Sequence, residues 1–395
     1  MPAVASEAPL YFIMAGEASG DLLGSRLMHA LKQKTGGHIR FAGIGGPRMQ
    51  AEGMDLLFPQ AELAHFGVFE LLCHIPNILR RIRETAAAIR AQKPVAVISI
   101  DAPDFCFRVE KQVRDAGIPL IHYVAPTVWA WRPERAAKIA RFLDHLLVLL
   151  PFEPPYFARE GLDCTFVGHS IVEGGADHGD AARFRARYGV TGHDVLVTVL
   201  PGSRAGELKR LLPVFGDAVR LLAARHKNLT LTIPVAHGMR ARLEAAIANW
   251  PARVILTEGD QDKYDGFAAS AAALACSGTV ALELALAELP AVIAYRLSPV
   301  TVFFYRRLIK TRFANLVNIM HEKMLVPELL QETCTADRLA DALDELLTKP
   351  SVRDAQKAGL HQVGAWLGQG QFVPSERAAE TVLQVVADRG CRVAP

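Results

Sequence analysis

The chain opens on a short apolar run, Leu10–Ala15. A turn of small and acidic residues, Gly16-Glu17-Ala18-Ser19-Gly20-Asp21, follows, and then helix-spaced apolar positions over Leu22–Leu31. That order predicts a strand, a tight turn and a helix, the opening unit of an α/β fold. The alternation recurs. Strands are predicted at Arg40–Ile44, Val95–Ile100, Leu120–Val124 and Leu146–Leu150, with helical spacing at Ile78–Ala91 and Glu134–Phe142. Pro76 and Pro133 stand where helices can begin. The loops after these strands are rich in Gly, Pro and Asp: Gly45-Gly46-Pro47, Asp101-Ala102-Pro103-Asp104 and Ala125-Pro126-Thr127. Strands alternating with helices predict a parallel, doubly wound sheet.

The periodicity stops at Glu173–Asp180, a Gly- and Asp-rich stretch that suits a linker. A second α/β series follows. Its predicted strands are Val195–Leu200, Leu229–Pro234, Val254–Thr257, Ala272–Ala275 and Ala291–Tyr295, and its helices Leu208–Arg225, Arg240–Ala248 and Val280–Leu289. From Ala336 onward the pattern is helical, with Glu376–Asp388 last. The expected organisation is a Rossmann-like domain over 1–172, a second over 181–365 and a helical tail over 366–395. Two such sheets are expected to face a cleft, with ligands at the carboxyl ends of the strands. The tail would pack back on the first domain or on a partner.

Composition narrows the classes. A hydrophobic share of 51% against 22% charged supports large cores and excludes a disordered chain. Lys and Arg number 44 against 41 Asp and Glu, balanced in both halves, so nucleic acid is not the expected partner. The six cysteines form no C-x-x-C pair and no zinc spacing, which predicts a reduced, cytosolic protein. Neither a basic leader nor a membrane-spanning apolar run is present in the sequence.

The candidate chemistry lies just beyond the strands. Gly16–Asp21 is not G-x-G-x-x-G, which argues against a dinucleotide site. Its glycines allow close approach of a ligand. A plain turn with Asp21 in the first helical turn is the equal alternative. Asp101, at a strand end, is placed to take a proton from a substrate hydroxyl, and Asp104 to cap the next helix. Pro201-Gly202-Ser203-Arg204-x-x-Glu207 opens a helix with small residues and a guanidinium fork suited to phosphate oxygens. Ser277-Gly278-Thr279 is a second anion-suited turn, and Glu283 beyond it could accept from ribose hydroxyls. Together the two turns predict a diphosphate. Neither is a P-loop, because no Gly-Lys-Ser/Thr follows.

Trp129 and Trp131 share one loop and suit a sugar or acyl pocket, although packing is the favoured reading for Trp131 and a core place for His122. In Phe66–Arg83, the residues Phe69, Leu72, Ile75, Leu79 and Ile82 recur at helical steps beside Arg80, Arg81 and Arg83. Two readings stand level: a basic amphipathic helix at a membrane surface, or a cover for the sheet with solvated charges.

Taken together, these stretches resemble the lipid-A-disaccharide synthase family. The matching strings are AGEASGD at Ala15–Asp21, GIGGPRM at Gly43–Met49, SIDAPDF at Ser99–Phe105 and HYVAPTVWAW at His122–Trp131. LPFEPPYF at Leu150–Phe157, FVGHS at Phe166–Ser170, LPGSR at Leu200–Arg204, SGTVALE at Ser277–Glu283 and NLVNIMHEKMLVPELLQ at Asn315–Gln331 continue the match in order. Cys106 stands where the family commonly has Asn, and His321-Glu322-Lys323 replaces a more usual Gly-Arg stretch.

The resemblance implies a two-domain GT-B fold and an inverting transfer of 2,3-diacylglucosamine from its UDP conjugate to 2,3-diacylglucosamine 1-phosphate. The products would be a β-1,6-linked disaccharide 1-phosphate and UDP, with no cofactor or metal. It implies catalytic roles for Asp101 and Glu17, the choice of base remaining open between them. Donor contacts fall to Gly202, Ser203, Arg204, Glu207, Ser277, Gly278, Thr279 and Glu283, and acceptor or phosphate contacts to Ser19, Asn318 and Lys323. Phe66, Phe69, Leu72, Arg80, Arg81 and Arg83 would face the inner membrane surface, where acylated substrates reside. A homodimer with exchanged C-terminal segments is also implied. The competing readings are another UDP-sugar enzyme of the same fold, such as an epimerase or a peptidoglycan glycosyltransferase, and a non-catalytic UDP-sugar-binding protein. Acyl-chain dependence separates the first, and UDP release on adding acceptor excludes the second.

Overall fold

A computed structural model of the chain describes residues 8–63, 71–236, 238–298, 302 and 311–393. The chain forms two compact units, Met1–Ser170 with Gln371–Pro395, and Ile171–Gly370.

The first unit holds a parallel sheet of β1 (Leu10–Ala15), β2 (Arg40–Gly45), β3 (Met54–Pro59), β4 (Ala96–Ile100), β5 (Leu120–Tyr123), β6 (His145–Val148) and β7 (Cys164–Phe166). Their spatial order is β3-β2-β1-β4-β5-β6-β7. Because successive strand side chains point to opposite faces, β1 feeds two cores. Phe12 and Met14 join Ile82, Phe105 and Phe142 on one face, while Tyr11, Ile13 and Ala15 join Leu27 and Leu31 on the other. The C-terminal helix Pro374–Val393 completes the second core with Ala378, Ala379 and Val382, and Glu380 pairs with Lys34 at 2.7 Å.

The second unit repeats the plan with β8 (Val195–Leu200), β9 (Leu229–Pro234), β10 (Arg253–Thr257), β11 (Ala272–Cys276), β12 (Ala291–Tyr295) and β13 (Glu328–Leu330), in the order β10-β9-β8-β11-β12-β13. In each sheet, the first strand in sequence lies inside and the order reverses beside it, between β1 and β4 and between β8 and β11.

Several expectations are corrected. β3, β7 and β13 escape the sequence pattern, and all three are sheet edges with half-exposed residues and weak apolar runs. Helix α3 (Leu71–Gln92) follows α1 (Ala18–Lys34) and α2 (Pro47–Ala51), and Pro76 lies inside it rather than at its start. The supposed linker is largely ordered as two short 3-10 turns, Ser170–Gly174 and Ala176–His178, before Asp180 caps the next helix through the Arg183 N–H at 2.9 Å.

Candidate active site

β1 and β4 pair with Ala15 opposite Ile100, so the loops carrying Glu17 and Asp101 leave the sheet side by side at the order reversal. Ligands of parallel sheets bind at this crevice. The loops are in close contact: a Cβ on Gly16 would lie 2.6 Å from the Ala102 Cβ. Glu17 is the N-cap of α1, yet its carboxylate makes no cap bond, and both it and Ser19 are exposed. Asp101 is half-buried.

Asp101 and Ala102 have φ of 53° and 44°, two successive left-handed residues without a glycine. Each costs roughly 1–2 kcal/mol, and such strain persists only where the surroundings hold it. The Asp101 N–H donates to the Tyr123 carbonyl at 2.9 Å, and the Ala102 carbonyl takes the N–H groups of Phe105 and Cys106 at 3.1 Å each. These last bonds start α4 (Pro103–Val113) with Ala102 as its N-cap. The expected cap, Asp104, is instead in the first turn, with its side chain 97% exposed and 3.9 Å from Arg135. The Cys106 side chain is buried in the core.

Asp21 does more than complement a dipole. Buried, it accepts the N–H groups of Gly46, Met49 and Arg48 at 2.9, 3.0 and 3.1 Å and so caps α2. A Cβ on Gly46 would strike its carboxylate at 2.6 Å, which explains the glycine there. The aspartate of the first turn thereby holds the GGPR turn of the second. Trp129 is likewise pinned: its Nε1 donates to Glu153 at 3.3 Å and its ring meets the edge of Phe152. Burial pushes the Glu153 carboxyl up to about 7, opposed by the Leu150 N–H and by Trp129.

Behind the Asp101 corner, Ser99 of β4 hydrogen-bonds Glu110 of α4 at 2.5 Å and His122 Nδ1 of β5 at 2.6 Å. All three residues are fully buried. Burial pushes the Glu110 carboxyl from 4.5 to about 8, against the Ser99 bond, and pushes His122 from 6.5 down to about 3. Between about pH 4.5 and 8 the native protein therefore keeps a proton on Glu110 that the unfolded chain has lost. Stability from this group is present below pH 4.5 and falls as pH rises to about 8. Thermal melts should show Glu110→Gln gaining on the wild type across that window and levelling off above it. A melting difference that does not change with pH contradicts this.

In the second unit, the PGSR turn follows β8 and the SGT turn follows β11, again flanking the order reversal. A cavity of about 620 Å³ opens there, lined by Gly202, Ser203, Arg240, Glu258, Lys263 and Glu283 among others. Gly202 has a φ of 105°, and a Cβ on it would lie 2.4 Å from the Glu207 carboxylate. That carboxylate accepts the N–H groups of Ser203 and Arg204 at 3.1 and 3.2 Å, as the third residue of a helix does in a capping box. One Glu207 oxygen thus acts as an internal anion on the turn. The Ser203 hydroxyl and the Arg204 guanidinium, whose side chain is 84% exposed, remain as further donors at the turn.

Ser277 is half-buried, while Gly278 and Thr279 are exposed, and nothing lies within 4 Å of a Cβ on Gly278. Glu283 accepts from Lys263 Nζ at 3.0 Å and from the Tyr264 hydroxyl at 3.3 Å. Burial alone would lower Lys263, but Glu283, Tyr264 and Asp260 outweigh it and hold the ammonium at about 12. Lys263 belongs to no recognisable motif; only the packing of helix Gly259–Ala269 brings it to Glu283.

Asn318 is not available as a phosphate contact. Fully buried, it donates to the Val326 carbonyl and to Glu328 at 2.7 Å each and accepts the Leu325 and Val326 N–H groups at 2.8 and 2.9 Å. All four of its hydrogen-bonding positions serve the loop. Lys323 in the same string is exposed. Of the three arginines expected at the membrane, Arg80 and Arg83 are exposed on α3, whereas Arg81 is held by Glu62 and Glu84 over the Phe58 ring. Phe66, Phe69 and the Leu72 side chain lie outside the described residues, as does most of Thr301–Lys310. Among the described residues, no helix is long and apolar enough to cross a membrane, and no group of three or more His, Cys, Asp or Glu could hold a metal ion.

The two-sheet architecture is that of GT-B glycosyltransferases and the related epimerases. The UDP-GlcNAc 2-epimerase of Neisseria meningitidis, solved with UDP-GlcNAc, superposes with a TM-score of 0.60 at 10% identity, covering 96% of this chain and 99% of the other. A Rickettsia africae glycosyltransferase superposes with a TM-score of 0.60 at 11% identity, covering 97% and 99%. At such identities the likeness shows the fold. The sequence goes further: residues 11–382 match the model of the lipid-A-disaccharide synthetase family. The lipid-A-disaccharide synthase of Rhodospirillum centenum is 57% identical over 96% of this chain and 95% of its own, and that of Paramagnetospirillum magneticum 45% over 95% and 97%. The chain belongs to the lipid-A-disaccharide synthetase family and is a glycosyltransferase of lipid A biosynthesis.

Proposed function

We propose that this enzyme transfers 2,3-diacylglucosamine from UDP-2,3-diacylglucosamine to 2,3-diacylglucosamine 1-phosphate. The observation that carries the reading is a carboxylate, Asp101, held on a left-handed corner at the order reversal of the first sheet. The acceptor's 6-hydroxyl would give its proton to Asp101 as its oxygen attacks the anomeric carbon on the face opposite UDP. The bond to UDP breaks, the α-linkage becomes β, and the departing diphosphate is met by Arg204. Glu283, with Lys263 beside it, would accept from the ribose hydroxyls. Glu17 supplies a second carboxylate at the same crevice as Asp101. Mass spectrometry after incubation with both diacylated sugars should show the disaccharide 1-phosphate and UDP. UDP-sugar consumption without a disaccharide would defeat this reading.

The substrates' acyl chains call for a cytoplasmic enzyme working at the inner membrane surface. Arg80 and Arg83 are exposed on α3 and would be the screened part of that attachment. Flotation on anionic vesicles should weaken with salt and fall sharply in Arg80→Glu/Arg83→Glu. Identical flotation of wild type and variant assigns the helix to covering the sheet.

We also propose a homodimer exchanging C-terminal segments. The contacts of Pro374–Val393 with α1 can be made between chains as readily as within one. Mixed Asp101→Asn and Arg204→Ala chains should then regain activity, because shared sites restore some intact ones. No recovery, with a monomeric mass at working concentration, sinks the exchange.

A further inference from the structure

The Asp101 corner has no glycine to relieve it, so the elements meeting there must hold it. Three meet: β4 enters, α4 leaves and β5 runs alongside. Each contributes one member of the buried polar chain. Ser99 lies two residues before Asp101 on β4, paired in register with His122 of β5. Its hydroxyl reaches forward across the corner to Glu110 on α4 and sideways to His122. The residue after His122, Tyr123, takes the Asp101 N–H. The chain thus ties together, from beneath, the three backbones that set where the Asp101 carboxylate points.

A purely stabilising role fits poorly. Among the described residues, Glu110 Oε2 has no hydrogen-bond partner in a fully buried setting. A half-satisfied polar network stabilises less than apolar packing of the same volume. What it does provide is one fixed arrangement of the elements around it.

We propose that Glu110, Ser99 and His122 are positioning residues for the transfer step, fixing the left-handed Asp101–Ala102 corner so that the carboxylate meets the acceptor hydroxyl. This rests on the reading of Asp101 as the base. None of the three touches substrate.

The test is steady-state kinetics of Ser99→Ala, Glu110→Gln and the apolar pair Ser99→Ala/Glu110→Leu, with Asp101→Asn alongside. Ser99→Ala should lower kcat about tenfold to a hundredfold, the range for a displaced catalytic group. The donor KM and the UDP affinity by calorimetry should stay put, because the donor residues lie in the other unit. Glu110→Gln keeps a partner for Ser99 and should retain most of the turnover. The apolar pair removes the Glu110 oxygens that Ser99→Ala leaves unpartnered, so it should fold at least as well as Ser99→Ala, yet its kcat should stay low.

Wild-type kcat in a folded Ser99→Ala, or recovery of kcat together with melting temperature in the apolar pair, overturns the proposal and leaves a structural network. The two claims separate cleanly. An active Asp101→Asn removes the base itself, whereas an inactive Asp101→Asn beside a fully active Ser99→Ala removes only the positioning role.

Discussion

Asp101→Asn is expected to cut turnover about 10²–10⁴-fold, the usual cost of losing a general base. UDP affinity should be unchanged, because the residues proposed to bind the donor belong to the other unit. The substitution is well suited to the question. Asn tolerates a left-handed backbone as readily as Asp does, so the corner with φ of 53° and 44° should survive while the proton acceptor is lost. Side-chain shape is kept, and the Asp101 N–H bond to Tyr123 is a backbone bond. Rates with both diacylated sugars and calorimetric UDP titration check the outcome. Near-normal turnover by a folded variant removes Asp101 from the role. Glu17→Gln belongs in the same series, because Glu17 leaves the adjacent strand at the same crevice; loss there, with Asp101→Asn active, would exchange the two roles.

The second large effect is expected at the donor. Arg204→Ala should weaken UDP binding about tenfold to a hundredfold, the worth of one charge-assisted hydrogen bond of roughly 1.5–3 kcal/mol. The backbone N–H groups of Ser203 and Arg204 cannot compensate, because Glu207 already occupies them. Arg204 is exposed and bound only loosely to Glu207, at 3.8 Å, so little native structure is lost with it. Glu283→Gln should weaken binding as well. It reduces acceptance from ribose hydroxyls and deprives the Lys263 ammonium of its carboxylate partner at 3.0 Å. Unchanged UDP affinity in both variants would put the nucleotide elsewhere than the cavity beside the PGSR turn.

Much of the candidate site was legible because parallel sheets place ligand-binding residues in the loops after their strands. Asp101, Arg204 and Glu283 were singled out by that position together with residue type, and Glu17 only by the family resemblance. The expectations that failed share a cause. Asn318 carries a side chain that suits a ligand, but its hydrogen bonds are spent within its own loop and on Glu328, and no sequence spacing tells a residue that binds a ligand from one that holds a loop. Asp104 follows the same rule in reverse: a residue type that favours capping lies two positions too far along, because Ala102 is already the cap and Pro103 the first helical residue.

What the sequence by itself determined is the alternation of buried strands and amphipathic helices, hence two parallel α/β units and the loops that carry chemistry. Those features are local: a continuous apolar run, a 3.6-residue period and a turn residue act within a few positions of one another. The edge strands β3, β7 and β13 were decided by tertiary structure, since half-exposed segments join a sheet only when an inner strand offers its free edge. So were the Asp21 cap on Gly46, the Lys263–Glu283 pair and the chain from Glu110 through Ser99 to His122. Each joins residues at least eleven positions apart whose polar atoms find partners only after the layers have packed, and the left-handed corner at Asp101 exists because that packing holds it.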